Sequence, residues 1–287
     1  VKAVFRCIVC RSKDMHKKQG YFMSFLAHRY FDYEKKPITL LGSGLHYPPL
    51  MTNVFKCKTC GIVFTQLRPD PDEIGRYYSD YGAESYMAAR AEMETGFSIN
   101  NMEDPQLLVA AKKNKETNIN SIIDGCCDFD SVRSVLDYGG DDGSSIPSSF
   151  KNAKKYLFDI SDKKAIEGVE VVTDLDKIDP VDFLMCMEVF EHLSYPGAEL
   201  EKMKNLCGPN TKILLTMPHD ASEDVNDDGY YNVFHEHINH FSLKSTQVLM
   251  LYHGFKILKL ASIEHIDPRF STPIRTIYCL AEPAWFV

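Results

Sequence analysis

Two Cys-x-x-Cys pairs, Cys7 with Cys10 and Cys57 with Cys60, set the strongest constraint on how this chain can fold. A two-residue spacer lets one tight turn aim both thiolates at a single centre, and two such pairs close a tetrahedral four-thiolate zinc site. The second pair stands in Phe55-Lys56-Cys57-Lys58-Thr59-Cys60-Gly61-Ile62-Val63-Phe64, where glycine follows the last ligand and an apolar run resumes, as when a zinc knuckle feeds a strand. The 46 residues between Cys10 and Cys57 exceed the usual ribbon interval, so an insertion is expected there, with the aromatic segment Tyr21 to Tyr33 and the loop Gly42-Ser43-Gly44. His16, His28 and His46 read as ordinary histidines rather than replacement ligands. A redox-active pair would open a helix of a thioredoxin-like unit, and none is apparent. Four protein ligands leave no open position, so the zinc is structural and the chemistry lies downstream.

The other five cysteines, at 126, 127, 186, 207 and 279, are scattered. An odd total in a reducing compartment argues against a disulfide framework. No run approaches 18 apolar residues and no long apolar stretch lies in Val1 to Cys10, so neither a transmembrane helix nor a secretory signal is expected, and a cytoplasmic location is the default. A net charge of −8 disfavours a nucleic-acid partner.

At 287 residues the chain has room for more than one unit. Arg68-Pro69-Asp70-Pro71-Asp72 punctuates it. Residues 1–75 are expected to form the zinc-binding module, 76–125 a tyrosine-rich connector and covering helix, and 126–287 a sheet domain. The connector carries Tyr77, Tyr78, Tyr81 and Tyr86, then apolar residues at helical spacing between Asp104 and Asp124.

From residue 131 strands alternate with helical segments, which predicts an α/β domain, a parallel sheet with helices on both faces. Ser134 to Tyr138 runs into Gly139-Gly140-Asp141-Asp142-Gly143, a turn that lets backbone approach a ligand at the carboxyl edge of the sheet. Lys155 to Asp159 ends in a carboxylate 22 residues after Asp137, placed to accept both hydroxyls of a ribose. Val169 to Val172 leads to Asp174, Val181 to Met187 runs into Glu188-Val189-Phe190-Glu191-His192-Leu193, and Thr211 to Met217 ends at Pro218. A helix is expected from Tyr195 to Leu206, and Phe255 to Leu260 with Ile274 to Leu280 forms a closing antiparallel hairpin. A nicotinamide dinucleotide would want Gly-x-Gly-x-x-Gly, which is missing. Aspartates at 137, 141 and 142 repel a diphosphate and suit a cationic ligand such as S-adenosylmethionine.

The glycine turn, the acidic end of Leu157-Phe158-Asp159 and the Glu188 to Leu193 segment together resemble class I S-adenosylmethionine-dependent methyltransferases over about residues 98 to 287. The resemblance implies a Rossmann-like sheet in which Gly139 and Gly143 face the methionine moiety, Asp159 binds the ribose and Asp174 lies near the adenine, with Asp137, Gly140, Ile160, Glu188 and His192 as further cofactor-binding residues. Asp141 stands where many members carry the middle glycine.

Phe234-His235-Glu236-His237-Ile238-Asn239-His240-Phe241-Ser242 is the densest polar constellation. A zincin helix would need His-Glu-x-x-His, and from His235 that position is Asn239. Two readings stay open beside simple packing: a metal held by His235, His237 and His240, and a general base tuned by a neighbouring carboxylate. Ser242 reads as the cap of a helix that Gly254 ends. With the four-cysteine module, this segment resembles the zinc-containing sugar methyltransferases, including nucleotide-sugar C-methyltransferases. That resemblance implies a small saccharide-like acceptor, His237 as general base with Glu236, and a tyrosine from the cluster holding Tyr78 and Tyr81. Those relatives usually carry a further C-terminal domain of well over a hundred residues, which is not expected here. A non-catalytic binding protein is the alternative from another class.

Overall fold

The computed structural model describes residues 1–33, 38–39, 45–94, 104–161, 163–268 and 273–285; the Gly42-Ser43-Gly44 loop lies outside them. The N-terminal part comprises β1 (Met15–Phe22), α1 (Ser24–Phe31), β2 (Leu50–Cys57) and β3 (Val63–Thr65). Helices α2 (Pro71–Tyr78), α3 (Glu84–Met93) and α4 (Pro105–Ile123) follow. Asp70 starts α2 with a capping box shared with Glu73, and Asp104 caps α4 through the amides of Gln106 and Leu107, each with proline in the first helical turn.

The second sheet begins with β4 (Ser134–Tyr138), β5 (Lys154–Phe158), β6 (Val169–Val171) and β7 (Val181–Met187). Then come α5 (Pro196–Lys204), β8 (Cys207–Pro218), β9 (Val233–Phe234), β10 (Asn239–His240), α6 (Leu243–Tyr252), β11 (Phe255–His265) and β12 (Ile274–Pro283). The seven strands lie in the order β6-β5-β4-β7-β8-β12-β11. The first five are parallel and the last two form the expected antiparallel hairpin. Strand order reverses beside β4, so its carboxyl end opens a crevice for a ligand.

The alternation of strands and helices is incomplete. Among the described residues, no α-helix lies between β4 and β5, β5 and β6, or β6 and β7; the last of these carries only a short 3₁₀ turn at Leu175–Lys177. Between β4 and β5 the sequence explains this: two glycines adopt positive φ, and serines with Pro147 fill the rest. Helices nevertheless cover both faces of the sheet as expected: α5 and α6 pack on the face of Leu136 and Leu184, and α4 on the face of Val135 and Phe183.

The two parts of the chain are stitched together. A five-stranded sheet runs β9-β1-β2-β3-β10, so residues 233–240 add an edge strand on each side of the N-terminal hairpins. One apolar core joins Ile8, Val9 and Phe55 to Leu215, Met217 and Phe241. Arg68, fully buried, bridges the same parts. It donates to the carbonyls of Leu193 (2.8 Å), Ser194 (3.0 Å) and Ile238 (3.1 Å) and to Asn239 Oδ1 (2.6 Å). Among the described residues no helix is long and apolar enough to cross a membrane.

Candidate active site

The four cysteines converge as their spacing predicts. Cys7 Sγ lies 3.6 Å from Cys60 Sγ, and Cys10 Sγ lies 3.5 Å from Cys57 Sγ. Four thiolates about 2.3 Å from a tetrahedral zinc would lie about 3.8 Å apart, so this group fits the ion with little adjustment. The two knuckles repeat one backbone solution. The residue after each pair, Arg11 or Gly61, has positive φ (62° and 85°), and its amide donates back to the carbonyl of Cys7 or Cys57.

At the carboxyl end of β4 lies a cavity of about 340 Å³. It is lined by Asp137, Gly139, Gly140, Asp159, Ile160, Glu188 and His192, with Tyr78 and Tyr81 from the connector. Gly140 is obligatory, since a Cβ there would fall 2.2 Å from an Asp137 carboxylate oxygen. Asp137 is fully buried and neither oxygen has a hydrogen-bond partner among the described residues. Burial raises its carboxyl to about 7, with Lys115 opposing and Asp159, Asp142 and Asp141 adding. Asp159 accepts from the backbone amides of Asp141 (2.8 Å) and Ser161 (2.7 Å). Asp141 has φ of 61°, a left-handed state that aspartate tolerates better than most residues.

Two expected cofactor residues lie apart from the cavity. Gly143 has φ of 77° and packs on Val169, where a Cβ would meet Cγ1 at 2.9 Å. Asp174 caps the turn at Leu175–Lys177 and pairs with Lys177 at 3.0 Å. Neither lines the crevice.

A second, larger cavity of about 690 Å³ adjoins the first and shares Tyr81, Lys115, Asp141, Ser145 and Glu188 with it. Arg90, Lys112, Lys163, Asp142 and Glu236 give it a polar lining. Arg90, on α3, pairs with Glu236 at 3.2 Å.

The histidine cluster divides. His235 is exposed, 3.8 Å from Glu94. His237 and His240 both face Asp220, at 3.8 and 3.2 Å, so the three histidines do not converge on one point. His237 stands behind Glu236, its Nε2 3.8 Å from Oε1, and lines neither cavity. Burial opposes a charge on His237, but the carboxylates of Asp220, Glu191 and Glu236 outweigh it and raise the imidazole to about 9. The His192 ring lies 4.8 Å from that of His237, and burial, then His237, lowers it to about 3. Sequence reasoning did not single out Arg90, Asp220 or Glu191 as site residues. Glu191 stood inside a motif already quoted; Arg90 and Asp220 lie in segments without any motif.

Residues 106–260 match the methyltransferase domain family. The chain belongs to this methyltransferase family. The match spans the crevice at β4 and the histidine segment, and the activity class is S-adenosylmethionine-dependent methyl transfer. Among solved structures, the chain is similar to an S-adenosylmethionine-dependent methyltransferase from Aquifex aeolicus, at 20% identity over 63% of this chain and 96% of that one, with a TM-score of 0.44. It is also similar to magnesium protoporphyrin IX methyltransferase from Synechocystis PCC 6803, at 14% identity over 74% of this chain and 99% of that one, with a TM-score of 0.48. No curated protein sequence matches.

Proposed function

We propose that this methyltransferase holds S-adenosylmethionine in the cavity at the end of β4 and methylates a small polar acceptor, a sugar, nucleotide sugar or glycan precursor, in the adjoining one. One observation carries the reading: the two cavities meet at Asp141 and Glu188, and Glu236 lines the larger of them beside that junction. S-adenosylmethionine supplies a methyl group on a cationic sulfur. Asp137 offers a buried carboxylate to that positive ligand, and Asp159 offers oxygens to the ribose. Ile160, more than half exposed at the cavity edge, offers an apolar face to the adenine.

The acceptor cavity suits a hydroxyl-rich molecule, since carboxylates and amines both line it, and Lys112 and Lys115 would meet a phosphate. Tyr78 and Tyr81 close the cofactor side and limit water. The acceptor's proton leaves through the Glu236–His237 pair, with Glu236 facing the cavity and His237 joined to it from behind. The zinc-binding module, residues 1–75, holds residues 233–240 in its sheet and so fixes that pair.

Calorimetry with S-adenosylhomocysteine tests the cofactor part: saturable heat is expected, and no signal at millimolar ligand would remove it. His237→Ala should keep that binding and lose turnover by two or more orders of magnitude. Turnover near wild type would end the role of the pair.

A further inference from the structure

Glu191 closes the motif after β7 and presents a problem that the methyl-transfer reading leaves unsolved. Its side chain is 1% exposed, and neither carboxylate oxygen has a hydrogen-bond partner among the described residues. The nearest polar group of opposite character, His192 Nε2, is 3.8 Å away, too far for a hydrogen bond. His192 Nδ1 is likewise buried without a partner. A carboxylate so enclosed needs a cation or a proton.

Around it the side chains are arranged as ligands. One donor atom each from Glu191, His192 and His237 lies within 4.8 Å of the others. Asp220 lies on the Nδ1 side of His237 at 3.8 Å, close enough to engage Nδ1 through a small shift while Nε2 is left for the ion. Glu188 stands three residues before Glu191 with φ of 56°, a backbone state that a glutamate adopts only under constraint. Thr216 donates to its Oε1 at 2.9 Å, and the residue lines both cavities at their junction. Glu188, Glu191, Asp220 and Glu236 thus gather around His192 and His237, and besides these histidines and His240 the basic side chain that the described residues pair with any of them is Arg90, on Glu236.

We propose that Glu191, His192 and His237 hold a divalent transition-metal ion, distinct from the four-cysteine zinc, whose open positions face the junction of the cavities at Glu188. Two imidazoles and one carboxylate on one side of an ion leave coordination sites free, and this donor set suits Mn²⁺, Fe²⁺, Co²⁺ or Zn²⁺ rather than a thiolate-selective ion. The inference rests on the acceptor reading above for its chemical role only. An acceptor hydroxyl replaces a water on the ion, its O–H bond breaks, and the proton passes to Glu236. The oxygen then forms a bond to the methyl carbon as the carbon–sulfur bond breaks with its electron pair going to sulfur. His237 acts in that scheme as a ligand, and Glu236 takes the proton.

The test uses the full chain carrying its thiolate zinc, titrated with MnCl₂ and followed by electron paramagnetic resonance of free Mn²⁺ and by elemental analysis. One Mn²⁺ per chain beyond the zinc is expected. Glu191→Gln, nearly isosteric and relieved of the buried charge, and His192→Asn should each weaken that binding at least tenfold. Glu191→Gln, at a residue that lines neither cavity, should keep S-adenosylhomocysteine binding, which reports a folded cofactor site. No second ion in the wild type at millimolar Mn²⁺, or unchanged affinity in both variants, would overturn the proposal. Binding of the second ion without methylation of any sugar acceptor would uphold the metal site and remove the acceptor reading instead.

Discussion

Asp137 was legible in the sequence as an aspartate of the strand before a glycine turn; its isolation was not, because burial and the lack of a hydrogen-bond partner among the described residues are properties of the packed crevice. Those two facts give it a pH signature. In the folded chain its carboxyl stands at about 7 against an ordinary 3.8, so the folded state holds a proton that the unfolded state has lost. The stability contribution is therefore complete below about pH 4 and is lost as pH rises to about 7, a change of about 4 kcal/mol at most. Cofactor binding runs the other way. A cationic ligand favours the ionised carboxylate, so affinity for S-adenosylmethionine should rise through pH 7 and then level off, with up to one proton released per ligand bound below that point. Calorimetry in buffers of different ionisation enthalpy measures this release, and Asp137→Asn should abolish both the slope and the proton. A pH-independent affinity with no proton release would show that the carboxyl is already ionised in the free protein. Asp174 makes the converse case: a carboxylate in the expected place that the fold spends on capping a turn and pairing with Lys177.

At the scale of elements, the parallel strands were readable from their apolar runs and the helix starts from their caps, because both signals are local. The two-residue strands β9 and β10 were not, since nothing in Val233–Phe234 or Asn239–His240 indicates partners some 200 residues earlier in the chain. The N-terminal sheet thus grips the histidine segment at both ends. Arg68 secures the grip. Its guanidinium is fully buried among neutral acceptors on the Leu193–Ser194 and Ile238–Asn239 segments, which flank His192 and His237. Arg68→Ala would strand several buried carbonyls, and a loss of about 3 kcal/mol or more in unfolding free energy is expected from denaturant titration. Hydrogen exchange should quicken first in residues 233–240, whose amides and carbonyls lose their fixed geometry. Unchanged protection there would mean that strand pairing alone holds the segment.

Across the whole molecule, the cysteine knuckles and the methyltransferase sheet share one apolar core. Ile8 and Val9 of the first knuckle touch the same cluster as Leu215 and Met217 of β8 and Phe255 of β11. The five-stranded sheet takes strands from both ends of the chain. A structural zinc in such a place stabilises everything that depends on the knuckles, since the unfolded chain lacks the preformed thiolate cage. Calorimetric melting of the zinc-loaded protein should therefore show one transition, with equal calorimetric and van't Hoff enthalpies. Removing the ion with a strong chelator, or replacing Cys57 by serine, should move that single transition to lower temperature as a whole. Two separate transitions, with only the smaller one sensitive to chelator, would mean that residues 1–75 fold as an independent unit. In that case the shared strands β9 and β10 would contribute little, and residues 233–240 should hold their hydrogen-exchange protection after the knuckles have lost zinc.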